Sequence, residues 1–246
     1  MNKYLQRFLR RRSINLCSVA VFFGLLMPGL SGAAEPVAVC YISVEGAGAR
    51  TGINSTNALA WQNGEGLKTC LASAVPGTSI YVAPGDYELR NRIQWDKSGE
   101  PGRPIRLIGL GSTDVQIGDY GQSILTTRRD RPTLSGTRPR TYSPETASEG
   151  SNFIQFENGV HHVDISNFNT LNFRTVISAD KVSTRAISVT NLYAENVRNL
   201  LSITAGCQKD TCEFTATDWV GSNLHVLGVS KRVVRAEGLQ NSTFQD

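Results

Sequence analysis

Arg174, Arg198 and His225 each stand directly after the last apolar position of a recurring pattern. If the pattern stacks, these side chains fall in one row at the ~4.8 Å interval between paired strands. A row of cations at that interval suits a polyanion such as a polyuronate. Arginine fits the task, because its planar fork can donate to both oxygens of a carboxylate. The plainer reading is surface charge paired with Asp180, Glu195 or Asp210, and Gln245 breaks the row in the fourth unit. His161-His162 reads as an exposed polar pair.

The row exists only if the chain repeats, and it does. Val163–Phe173, Ile187–Val197, Phe214–Leu224 and Val234–Phe244 align without gaps. Each reads apolar, any, apolar, any, turn residue, apolar, four of any type, apolar. Alternation is strand periodicity. The turn column holds Asn167, Asn191, Asp218 and Gly238, residue types that enter the left-handed backbone region at low cost. A second turn column holds Asn172, Asn196, Asn223 and Thr243. A unit this short cannot bury its own apolar face, so units must stack. Stacking would let asparagine amides bond along the column. The pattern predicts an all-β fold, a single-stranded right-handed parallel β-helix with a short N-terminal capping helix. An antiparallel sandwich would show more hairpin signals than Asn63-Gly64 and Asn158-Gly159, and neither lies in the repeats.

Residues 1–34 read as a signal peptide. Arg10–Arg12 are its basic region, Cys17–Leu30 its apolar stretch and Ser31–Ala34 its cleavage region. A membrane anchor is the competing reading, but the stretch falls short of the ~20 residues of a span. Residues 35–246 then form one β-helix domain. Removing five cations and no acid from a net charge of +4 leaves the mature chain near −1. Nucleic acid is not an expected partner, since basic-aromatic interleaving and zinc-type spacing are both missing. Cys40, Cys70, Cys207 and Cys212 survive cleavage, and an exported chain with an even number suggests disulfides. Proximity favours Cys40–Cys70 and Cys207–Cys212. Secretion or delivery to a bacterial periplasm follows.

Cys40–Val44 reads as a strand and Asn57–Ala74 as a helix that caps the first coil. Ile80–Val82, Ile105–Ile108 and Val115–Ile117 read as further strands. Residues 122–151 break the pattern, with Arg128, Arg129, Arg131, Arg138 and Arg140 among Pro, Ser and Thr. They read as a long basic loop, either a flap over an anionic groove or a solvated excursion. The last repeat ends at Phe244 without a cap. That predicts a truncated C-terminal end, or an oligomer whose partner covers it.

The opening resembles that of the pectate-lyase-like right-handed parallel β-helix superfamily. The carrying residues are Tyr41–Ser43, Pro76–Tyr87 and Ser98–Ile105. They look like the entry cap of polysaccharide lyases acting on alginate or chondroitin-type chains. The resemblance implies an acidic polysaccharide as partner and lyase chemistry. That chemistry needs carboxylate neutralisation by calcium or cations, a base and a proton donor. Lys181, Arg185, Lys209, Lys231, Arg232 and Arg235 are the available bases. Asp164, Glu195, Asp210, Glu213, Asp218 and Glu237 are the available calcium ligands, with Glu195 placed best. None forms a cluster by column, so the catalytic residues stay unassigned. The short motifs of polygalacturonase-type hydrolases and of pectate lyases proper are missing. The alternatives are a non-catalytic carbohydrate-binding or structural module, and an epimerase of polymer-bound uronates.

Overall fold

Short alternating runs, each ended by a residue that tolerates a left-handed backbone, fold here into stacked coils. The computed structural model describes residues 38–111, 131–138, 150–208 and 211–245. The expected signal peptide, the strand expected at Val115–Ile117, and Arg128, Arg129, Arg140, Lys209 and Asp210 lie outside these residues.

The entry strand β1 (Val39–Ser43) pairs in parallel with β2 (Leu59–Ala60). Helix α1 (Glu65–Ala72) follows, and β1 pairs on its other side with β3 (Ser79–Val82). The described strands then group into five coils. The first holds β3, β4 (Gly85–Glu88) and β5 (Ile93–Trp95). The second holds β6 (Ile105–Gly109), β7 (Pro132–Ser135) and β8 (Asn152–Phe156). The third is β9 (Val160–Leu171) with β10 (Thr175–Asp180), and the fourth is the continuous β11 (Thr184–Thr204). An antiparallel hairpin, β12 (Cys207–Gln208) with β13 (Thr211–Cys212), leads to the fifth coil, β14 (Ala216–Glu237). Strands β15 (Leu239–Gln240) and β16 (Thr243–Gln245) pair with the start of β14.

All pairings along the coils are parallel, and they define three faces. The first runs through β1, β3, β6 and the starts of β9, β11 and β14. The second runs through β4, β7 and the middle of the later coils. The third runs through β5, β8, β10 and the ends of β11 and β14. This is the parallel β-helix that the repeat predicts. Inward side chains stack in columns, as with Ile93, Ile154, Ile177 and Leu201, all fully buried. Each such side chain contributes about 1.5–3 kcal/mol of burial. Trp95, Phe156 and Trp219 form an aromatic column with centroids 6.1 and 5.9 Å apart.

The corners fix the register. Asn167, Asn191 and Asn223 have φ of 67, 53 and 51° and stack into a ladder. Asn191 Nδ2 donates to Asn167 Oδ1 at 2.9 Å, and Asn223 Nδ2 donates to Asn191 Oδ1 at 2.8 Å. Asn167 Nδ2 ends the ladder on the carbonyl of Gly109 at 2.6 Å. A second ladder joins Asn196 Nδ2 to Asn172 Oδ1 at 2.9 Å, and Gly228 continues that corner with φ 71°.

Two assignments from the ungapped alignment are corrected. Ile187 pairs with Val163, 24 positions back, but with Trp219, 32 positions on, rather than with Phe214. The hairpin closed by Cys207–Cys212 adds length between the fourth and fifth coils, and the ungapped alignment absorbed it as a false match. Asn223 therefore belongs with Asn167 and Asn191, not with Asn172 and Asn196. Asp218 belongs to a third left-handed column with His162, Ala186 and Asn241, whose φ values lie between 48 and 56°. Val234 stacks on Leu201 on the third face, so Val234–Phe244 is not a separate coil. Within 122–151, Pro132–Ser135 is a sheet strand rather than loop. Arg131 and Arg138 flank it and are buried, not displayed. Arg131 Nη1 donates to the Asn191 carbonyl at 3.1 Å, and Arg138 Nη1 to Asn196 Oδ1 at 3.4 Å.

Helix α1 is shorter than Asn57–Ala74. It buries Leu67, Cys70 and Leu71 against the first coil. Gly66 is needed there, since a Cβ would strike the Ala60 carbonyl. Cys40–Cys70 ties this cap to β1, with Cα atoms 5.8 Å apart. Asn191→Ala removes two ladder bonds and leaves a non-glycine residue at positive φ, which costs about 2–4 kcal/mol. Asn191→Gly relieves the backbone part, so urea denaturation should rank wild type above Asn191→Gly and that variant above Asn191→Ala.

Candidate functional site

The corner between the second and third faces collects cations. Arg90 and Arg92 come from the β4–β5 turn of the first coil, and Ser151 from the second coil just before β8. Arg174 comes from the β9–β10 turn. Arg198 lies within β11 at the same corner, because Leu171 pairs with Glu195 and Thr175 with Asn199. The Asn199 amide donates to the Arg174 carbonyl at 3.0 Å. In the fifth coil the register slips by one residue after Val197–Val229, so residues 230 and 231 stand opposite Arg198. Lys231 thereby joins the row.

A groove of about 940 Å3 opens at the cap end of this corner. Arg90, Arg92, Arg174 and Lys68 of α1 line it, with Gln94, Ser151 and Asn152, and no carboxylate does among the described residues. Lys68 pairs with Glu65 at 2.6 Å and Arg90 with Glu88 at 4.0 Å. Both pairs are exposed, and such pairs hold their charges only weakly. Arg92, Arg174, Arg198 and Lys231 form no ion pair among the described residues. Crowding has a consequence at the far end. The Arg198 guanidinium, followed by slight desolvation and by Arg232 and Arg235, holds the Lys231 ammonium below the ordinary lysine pKa.

The structure brings Arg174 and Arg198 together but not His225 or Glu195. His225 pairs in register with Tyr193 on the second face, and its Nε2 lies 2.6 Å from Asn223 Oδ1. The same five-residue misalignment that displaced Asn223 had placed His225 beside Arg198. Glu195 also lies on the second face, where the Tyr193 hydroxyl donates to its Oε2 at 3.4 Å. Among the described residues no group of three or more His, Cys, Asp or Glu side chains could hold a metal ion. Asp180, a suggested partner for the arginines, accepts instead from Ser202, Thr204 and Ser178 at 2.7, 3.0 and 3.3 Å.

Sequence reasoning missed Arg90, Arg92 and Lys68, and it named Lys231 only among the available bases, not in the row. Lys231 had a legible signal. Asn191-Leu192 and Asn223-Leu224 share a dipeptide, and aligning on it gives the true 32-residue step. Arg90 and Arg92 had no such signal, because the first coil lacks the asparagine corners of the later ones.

No protein-family model and no curated protein sequence matches the chain. Three solved structures show similar architecture. An alginate lyase of the PL6 family is 12% identical with a TM-score of 0.41, over 75% of this chain and 21% of that one. A rhamnogalacturonan lyase is 12% identical with a TM-score of 0.43, over 85% and 50%. A pectate lyase is 14% identical with a TM-score of 0.39, over 83% and 59%. The chain spans about a fifth to three fifths of those chains' lengths. No helix among the described residues is long and apolar enough to cross a membrane. Both disulfides fit an extracellular protein. Arg198→Gln should return the Lys231 pKa toward the ordinary lysine value, read from its side-chain proton shifts in an NMR pH titration.

Proposed function

We propose that the chain is an exported protein that binds an acidic polysaccharide along its cationic corner, with lyase-type chemistry on a uronate unit. The observation that carries this reading is the row Arg90, Arg174, Arg198 and Lys231, one cation from each of four coils, largely without carboxylate partners among the described residues. Like charges held side by side repel one another. An extended polyanion lying along the axis would relieve that repulsion and meet a cation in the first, third, fourth and fifth coils. Fixed carboxylates along the polymer suit the arginine fork.

The reading gives the arginines the task of neutralising a uronate carboxylate. Withdrawal of charge onto Arg198 acidifies the proton on the carbon next to that carboxylate. Lys231 is assigned as its acceptor, because its lowered pKa raises the neutral fraction available at a given pH. No group is assigned as donor to the leaving oxygen. That gap favours the second reading, a non-catalytic carbohydrate-binding β-helix, which uses the same row without chemistry.

Incubation with alginate, chondroitin sulfate and polygalacturonate, followed by ultraviolet absorbance of the unsaturated product, separates the two. The lyase reading expects a rise on one polymer, unaffected by chelator. Lys231→Gln should then slow turnover by about 10²–10⁴-fold while binding persists. Arg174→Gln with Arg198→Gln should weaken binding at least about tenfold and flatten its salt dependence. Binding without absorbance leaves the module reading. Binding that these substitutions leave unchanged overturns both.

A further inference from the structure

The corner where the chain passes from the third face back to the first carries a second polar cluster, independent of the cationic row. A cavity of about 210 Å3 opens there, lined by His161, Arg185, Ser183, Thr184, Thr215 and Thr217 among others. Strand register stacks His161 on Arg185 and Arg185 on Thr217. An imidazole, a guanidinium and a hydroxyl thus occupy one column across three coils. Among the described residues no carboxylate lines the cavity, and Arg185 forms no ion pair.

The hydroxyls strengthen the donor character of this wall. Ser183 Oγ accepts from the Thr215 amide at 3.1 Å. A hydroxyl whose lone pair is taken still has its hydrogen to donate. The cavity therefore offers donors and positive charge, which is the chemistry of an oxyanion site.

The histidines add a proton to this account. His161 Nδ1 and His162 Nδ1 lie 2.9 Å apart. One must donate and the other accept, so the pair can carry one extra proton but not two while the contact lasts. In the protonated pair, the ring that donates the shared Nδ1–H keeps its Nε2–H for a ligand. The charged groups around the pair come from four coils. Arg185 of β11 opposes the proton, Asp164 of β9 and Asp218 of β14 favour it, and Arg106 of β6 acts on Asp164. Asp164 is partly neutralised by Arg106 at 3.5 Å. Desolvation first, then His161 and Arg185, hold the His162 pKa below its ordinary value. An anion against Arg185 would cancel part of that opposition.

We propose that this cavity binds one sulfate or carboxylate group together with one proton taken up by the His161–His162 pair. The sequence has 3 histidines, so their ring protons resolve by NMR and His225 serves as the internal control. The test titrates the full chain with inorganic sulfate, whose charge is constant between about pH 5 and 8, where histidine titrates. Sulfate should shift His161 and His162 but not His225. Its affinity should rise by up to about tenfold per pH unit as pH falls, the slope for one linked proton. Calorimetry in two buffers should report uptake of close to one proton per sulfate. Arg185→Gln should weaken sulfate at least about tenfold with the histidine spectrum otherwise intact, and His161→Gln should flatten the pH dependence. A sulfated oligosaccharide binding more tightly than the free ion identifies a polymer-borne group as the ligand, and equal binding identifies the ion. A pH-independent affinity, an unchanged Arg185→Gln variant, or an equal shift of His225 overturns the proposal.

Discussion

The asparagine ladder at the first corner is the constraint on which the rest depends. Side chains in a parallel sheet alternate with period two, so a slip of one residue would turn every column inside out. Apolar burial alone resists that slip but does not choose between steps of 24 and 32 residues, since both preserve the alternation. The Asn167–Asn191–Asn223 amides choose, because each must meet its neighbour while its backbone holds a positive φ. A correct ladder brings Leu192 over Phe168 and under Leu224, closes the core, and carries Arg174 under Arg198 one corner later. Arg131 and Arg138 brace the same corners from outside, one on the Asn191 carbonyl and one on the Asn196 amide oxygen.

Much of the fold was legible because its physics is local and repeated. Alternation, left-handed corner residues and a helix beside a cysteine all announce themselves within a few positions. The fourth-to-fifth coil step was not legible, for a specific reason. The Cys207–Cys212 hairpin is an insertion at a corner, where length is unconstrained by pairing. Phe214-x-Ala216 then imitates an alternating pair that belongs to Trp219-x-Gly221. That error carried His225 into the wrong row and hid Lys231. The candidate site was half legible: Arg174 and Arg198 sit in coils of equal length, whereas Arg90, Arg92 and Lys68 come from the irregular first coil and its cap.

The two polar corners differ in build, and the difference bears on function. The cationic row is exposed, long and aligned with the axis, a geometry for a polymer. The His161–Arg185 cavity is small and donor-lined, a geometry for one group. Between them the third face is held by uncharged hydroxyls around Asp180.

The ladder register sets the cation row, and paired cysteine substitutions report that register. Adjacent positions in parallel strands bring Cα atoms within the span of a disulfide. The account predicts that Arg174→Cys with Arg198→Cys, and Tyr193→Cys with His225→Cys, each form an intramolecular disulfide under mild oxidation. It predicts that Arg198→Cys with His225→Cys does not. Efficient cross-linking of that last pair, with failure of Tyr193→Cys with His225→Cys, would contradict the register and with it the row.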